Sequence, residues 1–194
     1  MLTELLIRQE AGDSVDPNNP QGNNTAGAGN ENVFRDISSD TFQGTANYNP
    51  STDLVDANLV AYFTRNEVTE DEVDSPRIVS REVETFGLSF DNRSKFDLGA
   101  ASLTLTYGGE YYRDEQTGRD SATADGTRGG VPDATADFYG AFAQGEFAAT
   151  TPIGAFTLVP GVRWDRFENA APDAPSTADE AVSPKIGATW KPVP

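Results

Sequence analysis

Between residues 41 and 190 this chain falls into short runs in which apolar and polar positions alternate, separated by polar stretches without any period. Alternation at a period of two places one set of side chains on one side of an extended backbone, which is the pattern of a strand with one apolar face. The cleanest run is 101–111, where Leu103, Leu105, Tyr107, Gly109 and Tyr111 oppose Ser102, Thr104, Thr106, Gly108 and Glu110. Residues 41–48, 57–65, 82–90 and 183–190 repeat the plan. Residues 137–167 predict a hairpin that turns at Thr151-Pro152-Ile153-Gly154. Folded there, Tyr139 faces Trp164 and Phe147 faces Phe156, so that aromatics end a band of Ala141, Ala143, Leu158 and Val162. The other face carries Phe138, Glu146, Arg163 and Asp165. Pro160 interrupts the apolar face, and its missing N–H predicts a bulge or a gap in the ladder there.

The connections alternate in length. Residues 10–39, 66–80, 114–136 and 168–182 read as long polar loops, whereas 49–53, 91–99 and 151–154 read as short turns. All the long connections therefore fall at one end. The predicted fold is all-β, an antiparallel up-and-down meander of seven strands, or eight if residues 2–9 form a strand rather than a short helix. Residues 1–39 read as a strand tail with a long loop, and 40–194 as the β domain. A nine-residue apolar strand segment is about 26 Å long, close to a thin bilayer core, and uncharged bands with Tyr and Trp at both rims suit lipid. The sheet is thus expected to be a curved segment of a transmembrane β-barrel, with Tyr139, Phe147, Phe156 and Trp164 at the membrane interfaces and Glu146, Arg163 and Asp165 as polar lumen candidates.

Composition narrows the chemistry. Hydrophobic residues are 37% of the chain and the mean hydropathy is -0.51, too low for an ordinary compact core of this length. A net charge of -17 and a pI near 4.1 disfavour nucleic acid. Cys and His are both absent, which removes disulfides, thiolate chemistry and the commonest neutral-pH base and metal ligand. No catalytic, cofactor-binding or metal-binding residue is therefore assigned, and no enzyme is expected. The opening residues 1–8 contain Glu4 and too short an apolar run for an export signal, so an exported barrel would be a piece of a longer protein.

Other charged or aromatic groups have ordinary readings. Glu67, Glu70, Asp71, Glu72 and Asp74 form an acidic stretch that suits a solvated loop better than a Ca²⁺ site. Around Gly126 the spacing resembles a calcium loop, but Ser121 and Pro132 stand where acidic ligands belong. Tyr111 suits an interface and Tyr112 the lumen, rather than haem ligation. The Asn23 sequon is read as chance.

Three stretches, LTYGGEYYRD (105–114), residues 137–167 with GAFAQGEF and LVPGVRWDRF, and SPKIGATWKPVP (183–194), resemble the barrel of TonB-dependent outer-membrane receptors, particularly those for haem and haemoglobin. The resemblance implies a location in the bacterial outer membrane and about a third of a barrel of roughly 22 strands. It also implies import of haem iron or a ferric siderophore, with energy from the TonB complex reaching an N-terminal region that is missing here. The subgroup's Phe-Arg-Ala-Pro and Asn-Pro-Asn-Leu stretches are absent, so no ligand-binding residue carries over. Two other classes fit the pattern alone: a complete eight-stranded membrane barrel with a structural or adhesion role, and a soluble sheet that binds a partner.

Overall fold

The computed structural model describes residues 3–14, 33–73, 75–129, 131–172 and 174–193. The alternating runs form one antiparallel sheet of eight strands: β1 (Thr3–Ser14), β2 (Val33–Thr52), β3 (Val55–Glu72), β4 (Ile78–Asp97), β5 (Ala101–Asp120), β6 (Ala134–Thr151), β7 (Gly154–Ala171) and β8 (Ala174–Pro192). Each strand pairs with its neighbour in sequence, so the order in space is the order in the chain. Among the described residues β8 does not pair with β1, and the sheet remains open with two edges. A closed eight-stranded barrel is not formed.

The strands are longer than the alternation predicts. From β2 onward they run 18 to 20 residues, roughly 60 Å, about twice the length that crosses a bilayer. The extra length lies mostly at the end of the longer connections. Stretches expected as loops, 66–80 and 168–182 above all, are strand on both sides of a shorter connection, because β3 continues to Glu72 and β8 begins at Ala174. Their polar composition hid the strands: once neither face is apolar, the period of two leaves no trace in the sequence.

Pairing fixes which side chains share a face. On the apolar face Phe42, Phe63 and Phe86 occupy one cross-strand row, Tyr111 and Tyr139 another, and Trp164 lies opposite Val182. Each ends the continuous apolar band of its strand on that face, and two residues further out stand Asp40, Arg65, Glu84, Arg113, Asp137 and Arg166. The row through Phe42 reaches Ala178 on β8, yet the band there starts at Val182, four residues nearer the short turns. A flat apolar layer crossed by tilted strands imposes that offset.

In the β6–β7 hairpin the expected faces are correct and the expected register is not. Ala141 pairs with Trp164, Ala143 with Val162 and Phe147 with Leu158, so Tyr139 meets Arg166 rather than Trp164 and Phe156 meets Ala149 rather than Phe147. The shift is two residues, an even number, and therefore leaves every side chain on its face. Its cause is the turn, which closes through Thr151 and Gly154 around Pro152 and Ile153. Gly154 has φ 138, and the Thr151 hydroxyl donates to its carbonyl at 2.9 Å. At Pro160 the ladder is interrupted: Gln144 pairs with Gly161 and Phe147 with Leu158, with no pair between, while Pro160 still pairs with Ile186 on β8. The register is the same on both sides, so this is a gap without a bulge.

Among the described residues, strands contact only their sequence neighbours and no second sheet covers this one. Val79, at 1% exposure, is the single buried apolar residue among those described. Phe86 and Val162 remain 49% and 46% exposed.

Candidate functional site

The polar face is where chemistry gathers. One cross-strand row runs Tyr62, Gly87, Tyr112, Phe138 and Phe167 from β3 to β7. Tyr112 and Phe138 stack with ring centres 4.8 Å apart and planes 14° apart. The Tyr62 ring lies over Gly87, and any Cβ at that glycine would strike the ring carbons. The adjoining row toward the short turns holds Ser89, Glu110, Gly140 and Asp165. Arg163, one row further along, reaches back across Gly140 to bond Glu110, donates through Nε to Asp165 at 2.7 Å, and sits 5.9 Å from the Phe138 ring centre. On the other flank the Thr85 hydroxyl donates to Asp114 at 2.6 Å.

Arg163 and Asp165 are thus brought together, on the face expected for them. Glu146 shares that face but lies four residues along β6 from Phe142, the partner of Arg163, about 13 Å away at strand rise. Tyr139, Phe147, Phe156 and Trp164 all lie on the apolar face. Phe156 stacks on Trp190 at 6.0 Å, and Tyr139 packs against Tyr111 at 5.1 Å. Tyr111 donates its hydroxyl to Asp137 at 2.8 Å, and Tyr112 is engaged with Phe138.

The acidic stretch is not a cluster. Glu70 and Glu72 fall on the polar face and Glu67 and Asp71 on the other, because successive strand residues point opposite ways, while Asp74 lies outside the described residues. Among the described residues no set of carboxylates is arranged to hold a metal ion. Asp125 instead closes a local turn: it accepts the Thr127 N–H at 3.1 Å and its hydroxyl at 2.8 Å, and these bonds hold its carboxyl below the usual range.

A family model described as TonB dependent receptor-like, beta-barrel, matches residues 6–194. The chain belongs to the TonB-dependent receptor β-barrel family. Three solved receptors or transporters share its fold. The Serratia marcescens hemophore receptor HasR, solved with its hemophore HasA and heme, is 17% identical with a TM-score of 0.59, and the match covers 82% of this chain and 27% of that one. For BauA, the ferric preacinetobactin receptor of Acinetobacter baumannii, the values are 12%, 0.57, 80% and 28%. For the copper transporter OprC they are 17%, 0.54, 79% and 27%. The chain therefore spans little more than a quarter of these proteins. A comparison with curated proteins finds no match.

In this receptor barrel, sequence reasoning missed Glu110 and Phe138 as contacts of Arg163. Their parity was legible, since Glu110 and Tyr112 alternate with Tyr111. Their convergence was not, because it depends on the registers of two hairpins at once.

Proposed function

We propose that this chain is part of the barrel of a bacterial outer-membrane receptor that imports haem iron or a ferric siderophore, driven by the TonB complex acting on regions outside these 194 residues. The observation that carries the reading is the division of the sheet into a face with an uncharged band rimmed by aromatics and a polar face bearing Arg163, Glu110 and Asp165. A single sheet with Phe86, Leu158 and Val162 exposed is stable where lipid covers that side. Outer-membrane lipid then meets the apolar face, with Tyr139 and Trp164 at one headgroup level and Phe147 and Phe156 at the other. The polar face lines the lumen, where Glu146, Arg163 and Asp165 line the route of the cargo.

Iron in a chelate suits the residues better than a bare soft metal. These 194 residues contain no His or Cys and one Met, so they offer almost none of the imidazole, thiolate and thioether ligands that bind copper. Rings, carboxylates and an arginine recognise the organic surface of a chelate instead. Two of the three structural relatives carry iron-bearing cargo by name. Deleting the gene for the complete receptor should abolish growth on haemin or on a ferric siderophore as sole iron source, in a TonB-dependent manner. Unchanged growth on both, together with lost copper uptake, would overturn this assignment.

A further inference from the structure

The connections β2–β3, β4–β5 and β6–β7, at the short-turn end of the sheet, share a composition that turn geometry does not explain. They are Asp53-Leu54, Leu98-Gly99-Ala100 and Pro152-Ile153. Asp53, Gly99 (φ 79) and Pro152 are the residue types a tight reversal asks for. Beside each stands a large apolar side chain in the open: Leu54, Leu98 and Ile153 are 53%, 56% and 65% exposed. Two of these turns are bonded to side chains of the apolar face. The Leu54 carbonyl accepts from the Ser94 hydroxyl at 2.7 Å and from Asn92 Nδ2 at 3.1 Å. Asn92 and Ser94 lie on that face, paired with Tyr107 and Leu105, and with the turn bonded to them they are only 4% and 5% exposed. The Ile153 carbonyl accepts from Trp190 Nε1 at 3.3 Å, and Trp190 shares the apolar face with Phe156.

We propose that these turns bind phospholipid: Leu54 and Ile153, with Leu98 between them, enter the headgroup layer of the periplasmic leaflet. The inference rests on the reading that the apolar face meets acyl chains. Continuity with that face identifies the occupant. Apolar-face side chains hold both carbonyls, so these turns lie toward that side of the wall and their apolar residues prolong it. The same bonds satisfy backbone groups that leave water. Ile153 is three residues from Phe156, roughly 10 Å along a strand and less once the strand is tilted, while a headgroup layer is about 5–8 Å deep. Successive tips are two strands apart, roughly 10 Å, and so form a row along the rim. A row one side chain wide offers a folded protein too little area, whereas a leaflet is as long as the rim itself.

The test places a nitroxide at Leu54→Cys, Leu98→Cys or Ile153→Cys, one at a time, in the complete receptor reconstituted in phosphatidylcholine vesicles. The background is otherwise free of cysteine, as these 194 residues are. All three positions are exposed, so the labels leave the fold unstrained. The ratio of collisions with oxygen to collisions with a water-soluble nickel chelate should be at least threefold higher at 54 and 153 than at Ser75→Cys, in the exposed β3–β4 connection. A ratio equal to that of the reference would overturn the proposal. So would protection from both reagents, because protein rather than lipid would then cover the tips. Val162→Cys, within the apolar band, separates the two ways of failing. A ratio like water's there sinks the lipid reading of the whole face, whereas a ratio like lipid's there, with tips like the reference, sinks the inference about the turns alone.

Discussion

At the scale of single residues, close approach and charge pairing make the sharpest predictions. Gly87 is a strand residue whose missing side chain is filled by the Tyr62 ring, so Gly87→Val must displace that ring. A loss of about 1–3 kcal/mol is expected, visible as a lowered unfolding midpoint in detergent, whereas Gly44→Val, with open space around its Cβ position, should be near neutral. Asp120 is 4% exposed and accepts two bonds from Arg77, at 3.1 and 2.8 Å. The Arg77 guanidinium holds the Asp120 carboxyl below its ordinary 3.8, against the opposing effect of burial. The folded group titrates lower than the unfolded one, so the pair's stabilisation is complete above the unfolded value and is lost as pH falls through the folded one. Hydrogen exchange at the outer ends of β4 and β5, corrected for intrinsic rates, should therefore hold steady from neutral pH to about 5 and accelerate below 3.8. Asp120→Asn should remove that acid transition.

Elements show what a sequence can and cannot carry. Faces were legible because parity is local: Leu103 to Tyr111 or Phe156 to Trp164 state their side without reference to a partner. Register was not, since it depends on where the chain reverses, and moving the centre of reversal by one residue, to between Pro152 and Ile153, moves every pair by two. Strand ends were lost for a different reason. Residues such as Asp179 and Glu180 extend β8 beyond the apolar band, where no periodic burial marks the strand. Pro160 was legible in its consequence, because a residue without an N–H leaves a gap whatever surrounds it. Pro160→Val should close that gap, slowing hydrogen exchange near Gly145 and raising the unfolding midpoint. No change would show that the interruption has another cause. Parity also makes a paired prediction on β7. Leu158→Arg, on the apolar face, should cost about 2–4 kcal/mol near the bilayer midplane, while Thr157→Arg, one residue away, should cost far less.

For the whole molecule, the open order of strands and the near absence of a core mean that stability depends on what lies against each face. Taken alone in buffer, the 194-residue chain exposes two unpaired strand edges and the band running from Phe42 to Trp190, and it should aggregate unless detergent is supplied. The central claim is that one face meets acyl chains and the other an aqueous interior. Spin labels placed one at a time along residues 156–165 of the complete receptor in bilayers test it most directly. Positions 156, 158, 162 and 164 should collide preferentially with oxygen dissolved in lipid, and 157, 159, 163 and 165 with a water-soluble nickel chelate, in strict alternation. A profile without that alternation, or with its parity reversed, would contradict the assignment of the two faces and the receptor function argued from it.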